Sequence, residues 1–129
     1  MRAHKSVNMY KAIDRDAAAE SDDPHAMILV LFDELLRRMQ KFHGNVGSEG
    51  DQLIERNADY ARSMAILHAL QSCLDFDNGG EIAENLFRLY EYSRQQLLTS
   101  FQTKKAGNVE IAISSLSEIR NAWQIMDKS

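Results

Sequence analysis

Residues 74–92, LDFDNGGEIAENLFRLYEY, contain a helix end, a chain reversal and a helix start in immediate succession. The Gly79-Gly80 pair permits the sharp reversal, because glycine adopts backbone conformations that other residues avoid. Asp77 or Asn78 can cap the following helix, and Glu81 lies near its positive end. This helix carries aromatic and aliphatic residues around much of its circumference, more than one packed face requires. Any one of these residues alone is expected to belong to the core, whereas the surplus of the whole set favours a groove for an amphipathic partner helix.

Apolar residues at spacings of three and four predict four long helices along the chain. The predicted helices run from Asp22-Asp23-Pro24 to His43-Gly44, from Asp51 to Leu74, from Gly79 or Gly80 to Thr103, and from Asn108 onward. Gly44 is expected to give the first helix a left-handed cap. Because short connections favour antiparallel neighbours, the predicted fold is an all-α antiparallel four-helix bundle over residues 23–129.

Residues 1–22 precede this bundle and lack a long apolar period. Within them, Val7, Tyr10 and Ile13 are spaced three apart, which is suited to one side of a short helix or an extended strip. The sequence leaves two interpretations open for this short N-terminal arm. It is either a flexible tail or a segment packed against the bundle.

Length, charge and cysteine content indicate which class of protein this chain belongs to. The chain has 129 residues, which is typical of one domain, and a net charge of −4, which argues against a nucleic-acid partner. Cys73 is the only cysteine, so no intramolecular disulfide can form, and a packed side chain is expected for it. No signal-like segment and no apolar run of about 20 residues are present. We therefore expect a soluble protein of the cytosol.

Motifs for catalysis or metal binding are missing from the sequence. The four histidines form no HExxH pattern, and no glutamate precedes a histidine by three residues. An EF-hand loop counted from Asp75 would place Gly79 and Leu86 at ligand positions 5 and 12, where oxygen ligands are needed. We assign no catalytic, cofactor-binding or metal-binding residues and expect no enzyme.

Three segments of the chain resemble the FliS family of flagellin-specific export chaperones. Residues 24–33, PHAMILVLFD, resemble the family's SP-x-x-LI-x-x-LYD opening of the first long helix. Residues 74–92 resemble its LD-GGEIA-x-NL-x-x-LY-x-Y signature, and Ala122-Trp123 resembles its closing tryptophan. The departures are Asp23 for a common serine, Phe32 for a common tyrosine and Glu34 for a frequent glycine.

The resemblance implies a cytosolic helical bundle that binds the disordered C-terminal segment of flagellin in apolar grooves. Such binding prevents premature polymerisation and helps to present flagellin to the flagellar export gate. The resemblance also implies that the N-terminal arm covers part of the groove when no client is bound. The candidate contacts are Tyr10, Ile13, Ile54, Asn57, Ala61, Phe87 and Tyr90.

Flagellin is the only client that the resemblance implies. No cofactor, nucleic acid or stable membrane insertion is expected, and homodimerisation is left open. The alternative function is a generic helical adaptor or dimerisation module that binds another amphipathic helix. A metal-dependent bundle enzyme is a distant third hypothesis, since the sequence offers no ligand pattern for it.

Overall fold

The computed structural model describes residues 23–126. These residues form the helices α1 (Pro24–Gly44), α2 (Gln52–Ser72), α3 (Phe76–Thr103) and α4 (Val109–Ile125), and no strand occurs within that range. Each helix packs against its neighbours in sequence, and α4 packs back against α1. The predicted all-α four-helix bundle is confirmed. The proposed N-terminal arm of residues 1–22 lies outside the described residues.

Side-chain contacts give the direction of each helix relative to its neighbours. His25 at the start of α1 stacks on Trp123 at the end of α4, whereas His43 near the end of α1 approaches Glu110 at the start of α4. Tyr60 in the first half of α2 likewise stacks on Phe101 in the last part of α3. Adjacent helices are therefore antiparallel, as the short connections predict.

The core lies between all four helices and consists mainly of aliphatic side chains. Its fully buried members include Leu31, Phe32, Leu35, Met39, Phe42, Ile66, Leu67, Leu97, Val109 and Leu116. Burying each large apolar side chain contributes about 1.5–3 kcal/mol relative to exposure. α1 supplies six of its residues to the buried set, which agrees with the two neighbouring apolar stripes in its sequence. It supplies more of the buried apolar side chains than any other helix of the described residues.

The boundaries of α1 are set by a cap at its start and by asparagine at its end. The Asp23 carboxylate accepts a hydrogen bond from the His25 backbone N–H at 2.9 Å, and Pro24 occupies the first turn. The predicted left-handed cap at Gly44 is wrong, because Gly44 lies inside the helix and Asn45 follows it with a φ of −117°. Gly50, with a φ of 69°, instead supplies the left-handed residue in the connection to α2.

α3 begins earlier than the sequence predicts. Its cap is Asp75, whose carboxylate accepts hydrogen bonds from the backbone N–H groups of Asp77 and Asn78 at 3.1 Å, so the predicted cap at Asp77 or Asn78 is wrong. One helical turn follows before Gly80 interrupts the helix with a φ of 48° and a ψ of −123°. Gly80 therefore kinks α3 after its first turn. The sequence predicts instead that the helix begins at the glycine pair. The predicted end at Thr103 is confirmed.

Candidate partner-binding surface

The outer face of α2 carries an exposed row of apolar and small side chains. Ile54 is 75% exposed, and the members that follow it at spacings of four, three and four are Ala58, Ala61 and Ala65, all exposed. Asn57 borders the same row and is also exposed. α2 is long and unbroken, and its opposite side enters the core, so this row faces solvent in the described bundle. Small side chains let another helix approach closely, which suits the row to helix packing.

Aromatic stacking joins α2 to α3 beside this row. Tyr60 and Phe101 stack with ring centroids 4.1 Å apart and an interplanar angle of 14°. The Arg56 guanidinium lies 5.0 Å from the centroid of the Phe101 ring and donates a hydrogen bond to the Val46 carbonyl at 3.2 Å. Burial raises the pKa of the Tyr60 hydroxyl. The interface between α2 and α3 therefore contains a stacked aromatic pair near its Ile54 end.

Polar side chains link α2 to α3 near the C-terminal end of α2. The Gln71 amide donates to the Glu91 carboxylate at 3.1 Å, and Arg94 donates to both Gln71 Oε1 and Glu91 Oε1 at 3.1 Å. Hydrogen bonds from Gln95 and then from Gln71 lower the pKa of Glu91, so its carboxylate is charged at neutral pH. This network links α3 to the C-terminal part of α2.

An aromatic pair lies where α2 turns into α3. Phe76 and Phe87 are 44% and 40% exposed, and their ring centroids are 6.0 Å apart with tilted planes. The kink at Gly80 positions the first turn of α3, which carries Phe76, against the turn that carries Phe87. Because Gln71 also reaches the Phe87 carbonyl at 3.4 Å, the pair lies beside the C-terminal part of α2.

Tyr90 lies in the core, in contrast to the other described candidates. It is 3% exposed, and its ring approaches that of Phe32 with centroids 6.4 Å apart. Burial raises the pKa of its hydroxyl well above the usual value. In the described bundle Tyr90 has almost no exposed surface, and its ring packs in the core against Phe32 of α1.

The remaining candidates do not converge on one point. Ile54, Asn57 and Ala61 share the N-terminal half of α2, whereas Phe87 lies beside Gln71 near the other end. At a rise of 1.5 Å per residue, about 25 Å separates the level of Ile54 from that of Gln71. The candidates thus outline an elongated surface. Tyr10 and Ile13 lie outside the described residues.

Two residues near the α2–α3 turn differ from what the sequence indicates. Phe76 is exposed and its ring lies against the ring of Phe87. The sequence predicts only a chain reversal for the segment that contains it. Cys73, predicted to be packed, is exposed at the end of α2, because that helix stops at Ser72. A phenylalanine between two aspartates, in a turn where polar residues predominate, is the signal that could have identified Phe76.

A charged network lies on the opposite side of α2, against α1. Arg38 bridges the Glu34 carboxylate at 3.0 Å and the Asp59 carboxylate at 2.9 Å, and Lys41 lies 3.8 Å from Asp59. Asp59 is only 1% exposed. Burial opposes ionisation of Glu34, but hydrogen bonds from Arg37 and Arg38 outweigh it and lower its pKa. This network holds α1 and α2 together behind the candidate surface.

The described part of the chain offers no arrangement for metal chemistry. Among residues 23–126, no three His, Cys, Asp or Glu side chains are grouped so that they could hold a metal ion. No helix in this range combines the length and the apolar character of a membrane span.

Comparison with known proteins gives matches along nearly the whole chain. A family model described as "Flagellar protein FliS" matches residues 6–129. The chain is similar to the flagellar secretion chaperone FliSB of Pseudomonas aeruginosa, with 28% identity over 95% of this chain and 96% of that protein. The flagellar secretion chaperones FliS of Vibrio cholerae and Salmonella typhimurium are 25% and 31% identical, over 92% and 96% of this chain and 85% and 91% of theirs.

Proposed function

The chain belongs to the FliS family of non-enzymatic flagellar secretion chaperones, and we propose that its client is the disordered C-terminal segment of flagellin. In this proposal the chaperone acts in the cytosol, where it covers the flagellin segment and so prevents premature polymerisation. It then brings flagellin to the flagellar export gate with the client still bound. The bound segment folds into helices that lie on the surface of the bundle.

The observation that carries this proposal is the exposed row on α2. Ile54 is 75% exposed, and the small residues that follow it along the helix leave room for a second helix. At 25–30 cal/mol per Å², covering such apolar surface gives a substantial driving force, part of which is spent on ordering the client. A disordered client fits an elongated surface because it can wrap around it.

The contacts follow from this surface. Ile54, Asn57 and Ala61 contact the client along α2, and Phe87 contacts it near the α2–α3 turn. We further propose that Tyr10 and Ile13 of the N-terminal arm occupy part of the groove until the client displaces them. Tyr90 supports this surface from the core, since it is 3% exposed.

Isothermal titration calorimetry with a peptide of the flagellin C-terminal segment tests the assignment. We expect saturable binding with one peptide per chaperone, a negative heat-capacity change from apolar burial, and a gain of helical circular dichroism in the peptide. A peptide of the same composition in scrambled order is the control. No binding of the authentic peptide to the folded chaperone would refute flagellin as client. Binding of an unrelated amphipathic helix with equal affinity would favour the generic adaptor instead.

A further inference from the structure

The formal charge of the chain is concentrated in one segment. Residues 75–91 contain five acidic residues and one arginine, so their formal net charge of −4 equals that of the whole 129-residue chain. The remainder of the chain is balanced. This acidic segment forms the α2–α3 turn and the N-terminal part of α3, and it is the same segment that carries the exposed aromatic pair Phe76–Phe87.

Some of the acidic side chains of this segment already form hydrogen bonds or ion pairs within the bundle. Hydrogen bonds from the Asn78 side chain and backbone lower the pKa of Asp75, which therefore caps α3 as an anion. The Glu84 carboxylate lies 3.6 Å from the Arg88 guanidinium. Asp77 and Glu81, by contrast, are exposed residues on either side of the Gly80 kink. They add negative charge to the segment that carries the aromatic pair.

The aromatic pair and its charged surroundings define a ligand chemistry. Two phenylalanine rings that are 44% and 40% exposed offer faces for bulky apolar side chains and for cations, which are attracted to ring faces. Surrounding carboxylates repel acidic segments and attract basic ones, which affects both specificity and association rate. Ile82, also in the N-terminal part of α3, is 71% exposed.

We propose that the α2–α3 turn binds the part of the client in which bulky apolar residues are flanked by lysine or arginine. The occupant is thus a basic, apolar stretch of the client, held at the Phe76–Phe87 end of the elongated surface. This inference rests on the proposed function for its choice of client. The small-residue row on α2 takes the remainder of the client and makes no demand on its charge.

Two synthetic amphipathic helical peptides of about 18 residues test the chemistry directly. They share one leucine face and differ in carrying lysine or glutamate on the polar face. Measured by fluorescence anisotropy with the full chain at about 20 mM salt, the lysine peptide should bind at least about 10-fold more tightly, and this preference should shrink at about 300 mM salt. Equal affinity of the two peptides would overturn the proposal.

Matched variants locate the binding. Asp77→Asn with Glu81→Gln should weaken lysine-peptide binding about 5-fold or more, whereas Glu49→Gln with Glu55→Gln, which changes the net charge equally, should not. Phe76→Ala with Phe87→Ala should weaken it about 10-fold, and Ile111→Ala with Ile125→Ala, also exposed apolar positions, should not. Thermal melts of each variant confirm folding. The proposal would be contradicted if a control variant lost as much lysine-peptide affinity as its test variant. It would also be contradicted if the turn mediated concentration-dependent self-association of the chaperone.

Titration of the flagellin peptide against the same variants separates the two proposals. If flagellin binds and the aromatic and acidic variants leave its affinity unchanged, the charge-selective turn is refuted and the proposed function stands. If flagellin does not bind but the lysine peptide behaves as described, the client assignment fails and the chemistry of the turn stands with another client.

Discussion

The indole N–H of Trp123 donates a hydrogen bond to the backbone carbonyl of His25 at 2.8 Å, and His25 Nε2 lies 2.7 Å from the backbone carbonyl of Trp123. The two rings stack with centroids 4.7 Å apart. Because a carbonyl oxygen only accepts, Nε2 carries the hydrogen in this arrangement. The last turn of α4 is thereby fastened to the first turn of α1.

Trp123→Phe should lower the free energy of unfolding by about 1–2 kcal/mol, because it removes the indole donor and leaves the His25 carbonyl without that hydrogen bond. Urea unfolding followed by circular dichroism measures this loss. A double-mutant cycle with His25→Ala should give a coupling of about 0.5–1.5 kcal/mol, since the residues touch. Strictly additive losses would show that the reciprocal contact contributes nothing to stability.

Arg38→Ala should be far more destabilising than Arg37→Ala, although both arginines pair with Glu34. Arg38 also neutralises Asp59, which is 1% exposed, and removing a partner from a buried charge costs about 3–5 kcal/mol. Arg37 is 53% exposed, so its loss should cost at most about 0.5 kcal/mol. Chemical denaturation of both variants makes the comparison, and similar losses would exclude a special role for Asp59.

Acid should remove the stabilisation that Glu34 provides. The pKa of Glu34 is lowered in the folded protein from its ordinary value of 4.5, so its contribution is fully present above that value and is lost as the pH falls through the folded-state pKa. Wild type and Glu34→Gln should therefore differ in unfolding free energy at about pH 6, and this difference should shrink as the pH falls below the ordinary pKa of glutamic acid. A difference that persists at the acid end would assign the effect to packing instead of charge.

The four helices could be predicted because each buries a long apolar face, and periodicity reports burial directly. Helix ends were less predictable, since several residues near each end can cap. Asp75 rather than Asp77 caps α3 because its carboxylate reaches two amides at once. Gly44 stays helical as the last residue of α1, and the chain leaves the helix at Asn45, whose backbone N–H donates to the Phe42 carbonyl.

The candidate surface could be predicted only in part. The exposed positions Ile54, Asn57 and Ala61 lie on one face of α2, which the helical repeat alone indicates. Tyr90 and Phe87 are both aromatic residues of α3, yet one is buried and the other is 40% exposed. Tyr90 packs against Phe32 of α1, whereas Phe87 lies against Phe76 of the first turn of α3, and composition does not distinguish these two environments.

Gly80→Ala should lower the free energy of unfolding by about 1–2 kcal/mol, because its φ of 48° is strained for any residue with a Cβ atom. Gly44→Ala is the matched control. Gly44 lies within α1, and an added Cβ there has nothing within 4 Å, so alanine should be neutral or stabilise by up to about 1 kcal/mol. Thermal melts of the two variants test the pair. Equal stability of both would show that the kink carries no conformational cost.

Ala61→Glu should abolish or strongly weaken client binding while leaving the thermal midpoint nearly unchanged. Ala61 is exposed on the outer face of α2, so glutamate costs the free bundle little, but a docked helix would bury its charge against apolar surface. Ala122→Glu, at an exposed alanine of α4, introduces the same residue into a helix outside the candidate surface. Calorimetry with the flagellin peptide should therefore show at least about a 10-fold loss of affinity for the first variant and none for the second. Equal effects of the two substitutions would mean that the client binds elsewhere or senses only the net charge of the chaperone.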